Sequence, residues 1–458
     1  MRDQRRSSGS NPGGHADAAA GPSVRQMLHL WLPLAASIVM MVLEPSTINV
    51  ALSRTSSPEL ALAAFGVAFS LALLIEAPII MLLDASVARS TDRAAFSMMR
   101  RFSVVLGLAV TALGLLISLT PLYGLIVEGL MNIPSDLAAV ARPTAKVLSF
   151  WFLPIAWRRT HQGVLIRADH TAIITVATGV RLVTLAGGVV AGLLLFPDYG
   201  VVVAGLAMVV SVTVEAILIT VASRPVIQSG HFGPEAPSAS QPALTMRGLW
   251  RFYRPLVVTT FLRQSTRPAL NIGIAASQMP RASLAAWPVA WGAAILIAGP
   301  AWSLQQLTTA LASDERAALR VRRFNLVVSA LFTLVLGLVA FTPLYGLVMG
   351  GIYNLSANLQ ELARPALMLM AFLPLLMGTQ AFYRGLLIRS GGTGIVRTAM
   401  IVNVGTVLVT MLVSVTLLSL SGVTLAALAT MAGMVAELGW LWKERPRLSA
   451  SEAQELAH

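Results

Sequence analysis

From residue 24 onward the chain is a succession of long apolar runs separated by short polar breaks. Crossing a bilayer takes roughly 20 apolar residues, and the runs at 27–52, 59–83, 102–122, 137–157, 172–196 and 201–222 have that length. A second set follows at 250–275, 283–311, 324–345, 360–381, 396–418 and 422–442. The pattern predicts an all-α integral membrane protein of twelve transmembrane helices. Residues 1–23 are rich in Gly, Ser, Ala and Arg, have no apolar run, and read as a disordered tail. Residues 223–245 ("SRPVIQSGHFGPEAPSASQPALT") form the one long polar connection inside the body of the protein and read as a linker. It divides an N-lobe (24–222, spans 1–6) from a C-lobe (246–445, spans 7–12), and 446–458 is a second tail.

The two lobes repeat at a constant offset of 222 residues. "TPLYGL" stands at Thr120–Leu125 and again at Thr342–Leu347; "RRF" at Arg100–Phe102 and Arg322–Phe324; "ARP" at Ala141–Pro143 and Ala363–Pro365. Gly163–Arg167 ("GVLIR") answers to Gly385–Arg389 ("GLLIR"), Pro33 to Pro255, Asn49 to Asn271, Pro78 to Pro300 and Glu215 to Glu437. An even number of spans per repeat gives both halves the same orientation. The repeats are therefore parallel, related by an axis along the membrane normal, an architecture common among alternating-access transporters.

Composition agrees. Apolar residues make up 56% of the chain and charged residues only 12%, where a soluble domain carries about 25%. A cytosolic enzyme, a disulfide scaffold and a disordered chain are thereby excluded. The net charge of +13 would suggest nucleic acid in a soluble protein; here it reads as loops facing anionic lipid. With the N-terminus inside, 25 of the 33 Lys and Arg fall on inner segments and five on outer ones (Arg54, Arg142, Lys146, Arg281, Arg364). That asymmetry places both termini in the cytoplasm of a cell in whose inner or plasma membrane the chain sits. Cysteine is absent and the six His are scattered, so no metal site is expected. No Walker A sequence occurs, no cofactor is implied, and transport would draw on an ion gradient, a substrate gradient or the membrane potential.

An ionisable residue inside a span usually faces a cavity or a partner. Arg263 and Arg267, four residues apart on span 7, share one helical face near mid-depth, just before Pro268. Glu44 on span 1 aligns with Thr266 and is expected to face that pair across a central cavity, where an incoming anion would compete with it. Asn49 and Asn271 would be symmetric polar groups a turn further out, expected to bind substrate together with Arg263, Arg267 and Glu44. Glu76 on span 2 aligns with Ala298; it and Glu44 are the coupling candidates, for H+ or Na+. Arg181 on span 5 lies at about the depth of Glu215 on span 6, and the two are expected to form a structural ion pair.

The repeat resembles the MATE-like members of the multidrug/oligosaccharidyl-lipid/polysaccharide (MOP) exporter superfamily. Within it the chain is most similar to the progressive ankylosis family, on the strength of span 7, "LWRFYRPLVVTTFLRQSTRPALNIGIAAS" (Leu249–Ser277), where Arg263, Arg267, Pro268 and Asn271 are the matching positions. Glu437, and Glu44 ahead of Asn49, also match. The resemblance implies a two-lobed exporter whose lobes rock about a central cavity, with phosphate-bearing and carboxylate anions as substrates: pyrophosphate, ATP and citrate. MATE drug exporters use acidic cavity residues on cations; Arg263 and Arg267 depart from that pattern and favour a small anionic solute. The alternatives are a cation-coupled multidrug antiporter and a flippase for a lipid-linked oligosaccharide. The expected partners are a small-molecule substrate, a coupling ion and the bilayer, with the chain acting as a monomer.

Overall fold

The computed structural model describes residues 22–168, 170–230, 244–390 and 392–444. Both tails, apart from residues 22 and 23, and residues 231–243 of the linker lie outside them. The described residues form twelve successive helical rods and no β-strand. Spans 1–6 are Val24–Leu52, Pro58–Arg89, Arg93–Leu119, the pair Ser135–Ser149 and Phe152–Arg167, Thr171–Leu195, and Gly200–Ser229. Spans 7–12 are the pair Met246–Gln264 and Thr266–Ala275, Pro280–Leu311, Glu315–Phe341, Ala357–Arg389, Thr393–Leu417, and Gly422–Lys443. Among the described residues ten of these are long and apolar enough to cross a membrane. Spans 4 and 7 fall short because each is broken in the middle and carries several arginines. Span 6 continues to Ser229, past residue 223, where the composition suggested the linker begins.

Proline places the breaks. In spans 2 and 8 the helix tightens to a 3₁₀ turn at Ala77–Ile79 and Gly299–Ser303, around Pro78 and Pro300. Proline cannot donate the i→i−4 hydrogen bond and crowds the preceding turn. In span 7 the break falls at Ser265, so that Pro268 sits in the first turn of the second half, where a missing N–H costs nothing.

The 222-residue offset is a relation between contacts as well as letters. Arg167 donates to the Val87 carbonyl at 3.0 Å, and Arg389 to the Thr309 carbonyl at 3.0 Å. Tyr123 donates to Ala138 O and Tyr345 to Gln360 O. Asp92 and Asp314 cap the N-termini of spans 3 and 9. Asn132 and Asn354 hold left-handed φ values of 52° and 49°, which asparagine tolerates better than most residues. The pseudo-two-fold axis runs between spans 2 and 8: Gly66 and Pro288 are symmetry mates, and a Cβ on Gly66 would meet Pro288 Cγ at 2.9 Å. Large apolar side chains such as Val183, Leu194, Val327 and Leu412 lie exposed on the outer faces of the rods. A face of that kind suits a lipid solvent, not water.

Candidate functional site

The halves meet along spans 1, 2, 7 and 8, where symmetry-related side chains reach from one half to the other. The Trp31 indole on span 1 donates to Pro300 O on span 8 at 3.4 Å, and its mate Tyr253 on span 7 donates to Pro78 O on span 2 at 2.6 Å. Toward the other ends of spans 1 and 7, Asn49 Nδ2 donates to Pro288 O at 3.0 Å and Asn271 Nδ2 to Ser70 Oγ at 2.8 Å. The two asparagines are buried in this seam and direct their donors across it.

Within the N-terminal half, charge is gathered around Glu215, which is fully buried. Arg158 on span 4 contacts one carboxylate oxygen, and Arg181 Nη1 lies 3.1 Å from the same atom. The other oxygen accepts from Thr178 Oγ1 at 3.1 Å and Gln162 Nε2 at 3.3 Å. Arg181 also contacts Glu44. Close by, Arg159 Nη2 stands 3.6 Å from Glu76 Oε1, and its Nη1 donates to Ile80 O at 3.0 Å. Isolated charges are costly in a low-dielectric interior and tolerable when paired and hydrogen-bonded; here three arginines and three glutamates balance.

In the C-terminal half Glu437 plays the part of Glu215. Arg384 Nε donates to it at 2.9 Å and Asn403 Nδ2 at 3.0 Å, while Gln380 Nε2 turns to Met434 O at 2.7 Å. By the 222 offset Arg158 answers to Gln380, Gln162 to Arg384 and Arg181 to Asn403. Three positions around the glutamate thus carry arginine in one half and an amide in the other. The hydropathy pattern assigned Arg158, Arg159 and Arg384 to inner loops, because each apolar run ends near them. The helices instead continue to Arg167 and Arg389, since a paired arginine can remain inside. Moving these three lowers the inner count of basic residues from 25 to 22 and leaves the asymmetry against the outer five intact. The alternation of arginine and amide at the 222 offset was the signal that could have found Arg158 and Arg384; Arg159, which answers to Ala381, left no such signal.

Arg263 and Arg267 are different. Both side chains are exposed in the structure, and among the described residues neither has an ion-pair partner. Arg263 lies within electrostatic reach of Asp84 on span 2 and Arg384 on span 10, one from each half. The neighbouring Gln264 donates to Leu73 O of span 2 at 3.4 Å. Glu44 does not face this pair, as its alignment with Thr266 suggested. Span 1 packs against span 5, which turns Glu44 to Arg181, inside its own half. No anion needs to displace Glu44 to reach Arg263 or Arg267. Among the described residues no three His, Asp or Glu side chains converge as metal ligands.

Comparison with known proteins agrees with the resemblance read from span 7. Residues 239–439 match the family model Progressive ankylosis protein (ANKH). No curated protein matches the chain. Among solved structures, an inward-facing multidrug resistance MATE family transporter of the MOP superfamily is similar at 17% identity and a TM-score of 0.65, covering 92% of this chain and 98% of that one. The MATE multidrug transporter DinF-BH in complex with R6G is similar at 14% identity and a TM-score of 0.64, over 92% and 96% of the two chains. A third is a MOP superfamily transporter from Pyrococcus furiosus, described as having a binding pocket of reverse polarity that suggests a different function. It has 16% identity and a TM-score of 0.58, over 92% and 96%. The fold is the two-lobed MATE fold.

Proposed function

We propose that the chain is a secondary transporter of small organic or phosphate-bearing anions, working by alternating access of its two halves. One observation carries the reading. The intramembrane charges Arg158, Arg159, Arg181 and Arg384 are matched by Glu44, Glu76, Glu215 and Glu437, and two arginines remain over. Uncompensated guanidiniums exposed between the halves call for a mobile counter-charge, since an ionisable residue within a span usually faces a cavity or a partner. A planar guanidinium fork fits a carboxylate or phosphate in two-point contact. The two arginines flank the break at Ser265, one on each part of span 7, a placement that suits a ligand with more than one anionic group. The same excess repels a cation, which argues against the cationic-drug reading. The ankylosis family match over residues 239–439, which contains both arginines, supports the anion reading, and the Pyrococcus furiosus transporter is a precedent for a MATE fold whose pocket polarity is reversed.

Glu44 is the coupling candidate we favour over Glu76: its side chain is 13% exposed against 4% for Glu76, so a proton or Na+ reaches it more readily. A lipid-linked oligosaccharide flippase would also bring a pyrophosphate to Arg263 and Arg267. The deciding experiment is efflux from proteoliposomes loaded with citrate, pyrophosphate, ATP or ethidium. Anion efflux that falls about 10-fold or more in Arg267→Gln, as the loss of a charge-assisted hydrogen bond of roughly 1.5–3 kcal/mol implies, supports the proposal. Ethidium efflux with no anion efflux overturns it.

A further inference from the structure

We infer that the outer face of the N-terminal half carries a binding groove for one anionic phospholipid, seated between spans 3, 4 and 6. The groove has a volume of about 530 Å³ and is walled by Val104, Leu153, Trp157, Ile217 and Val221, with Arg224 at one end. It lies apart from the seam between the halves, and none of the residues in the charge network or the arginine pair lines it.

Three features fit a lipid. The first is length. Along span 6 the groove runs from Thr213 to Arg224, and eleven residues at ~1.5 Å rise make about 16 Å. That is about half the ~30 Å hydrocarbon thickness of a bilayer, the depth of a single leaflet. The second is polarity. The walls are almost wholly apolar, and the one indole N–H among them is already satisfied: Trp157 Nε1 donates to Thr220 Oγ1 at 2.8 Å. The wall asks nothing polar of its occupant, so it suits an acyl chain. The third is charge. Arg224 closes the end of the groove, exposed and without an ion-pair partner among the described residues. Arg100 and Arg101 stand one turn before Val104 on span 3, at the same end, and both are exposed. No acidic residue lines the groove. A cluster of arginines at the interface level over an apolar trough matches a phosphate-bearing head group above an acyl chain, and a net-anionic head group over a zwitterionic one.

The full-length chain, purified in detergent, is titrated with phosphatidylglycerol or phosphatidylcholine of identical acyl chains, and bound lipid is read by native mass spectrometry. The wild type should retain phosphatidylglycerol at least fivefold better. Arg224→Gln should bring the two lipids within about twofold, and Arg224→Lys should keep most of the preference. Ile217→Trp, which fills the trough, should lower retention of both. Equal retention of the two lipids by the wild type overturns the inference, as does an undiminished preference in Arg224→Gln. A dimer present in the wild type and lost in Ile217→Trp would also overturn it, by giving the groove to a second copy of the chain. None of these readouts depends on the transported substrate.

Discussion

Glu215 and Glu437 stand 222 residues apart at equivalent places in the two halves, yet each is held by an arginine from a different rung of the equivalent helix. Arg158 reaches Glu215, whereas Arg384, which answers to Gln162, reaches Glu437. The buried carboxylate is common to both halves, and the cation that neutralises it has moved by one helical turn. That displacement is tolerated because positions four apart share a helical face. It also separates what the fold requires, a paired glutamate, from the particular partner.

The relation can be tested by transplanting it. Arg158→Gln alone strips Glu215 of one of its two arginines and should lower stability by an amount approaching the ~3–5 kcal/mol of a broken buried pair. Adding Gln162→Arg rebuilds the C-terminal pattern in the N-terminal half. The double variant should regain at least half of the lost stability, read as thermal unfolding of the purified protein. A double variant no better than the single would mean that Arg158 is needed at its own rung.

Packing at the helix crossings should be as symmetric as the sequence. A Cβ built on Gly163 lies 2.4 Å from Ser86 Cβ, and one on Gly385 lies 2.6 Å from Thr308 Cβ. Spans 4 and 2, and spans 10 and 8, approach this closely only because the residue is glycine. Gly163→Ala and Gly385→Ala should each cost about 1–3 kcal/mol, the usual toll of overpacking, seen as lower yield and melting temperature. Gly179→Ala, where nothing lies within 4 Å, is the control that should change little.

The duplication was legible in the chain because each repeated phrase specifies a contact that both halves need: the Arg167 and Arg389 hydrogen bonds, the Tyr123 and Tyr345 hydrogen bonds, the Gly163 and Gly385 crossings. The direction of Glu44 was not. Depth along a helix can be counted from sequence, but which neighbour a given face meets depends on how spans 1, 5 and 8 pack, and no local pattern encodes that. The helical continuations through Arg158 and Arg384 were hidden for a different reason. A hydropathy run stops at its first charges, whereas a helix stops only when its backbone bonds run out, and a partnered arginine lets it go on.

The hydrogen bonds from Trp31 to Pro300 O and from Tyr253 to Pro78 O tie the halves at symmetric points. If the halves rock, these bonds are made in some states and not in others, and a hydrogen bond contributes about 0.5–1.5 kcal/mol net. Tyr253→Phe should therefore shift the equilibrium between the two arrangements by roughly 2- to 12-fold. Spin labels at single cysteines on the two halves, easily placed in a chain without cysteine, would read the shift as a change in the distance distribution. An unchanged distribution in both Tyr253→Phe and Trp31→Phe would remove these bonds from the conformational balance.

The excess of basic residues on one set of segments predicts an orientation with both termini inside. Ser229 ends span 6 and Ser57 precedes span 2. With both termini in the cytoplasm, a membrane-impermeant thiol reagent added to intact cells should label Ser57→Cys and spare Ser229→Cys. The reverse pattern would invert the proposed topology.

The last prediction separates the carboxylate that would carry the coupling ion from those that hold the fold. Glu215 is 0% exposed and bound by four side chains; Glu437 is 2% exposed and bound by two. Among the described residues Glu44 has a single ion-pair partner, Arg181, which is already committed to Glu215. Neutralising Glu44 therefore leaves Arg181 with a counter-charge, whereas neutralising Glu437 leaves Arg384 with none. Glu44→Gln should fold at close to normal yield, and Glu437→Gln should lose yield unless Arg384 is removed with it. If Glu44 is the coupling site, Glu44→Gln proteoliposomes should still exchange anion across the membrane at equilibrium but should not concentrate it when a pH or Na+ gradient is imposed. Gradient-driven accumulation that survives Glu44→Gln and disappears in Glu76→Gln would move the coupling role to span 2, beside Arg159.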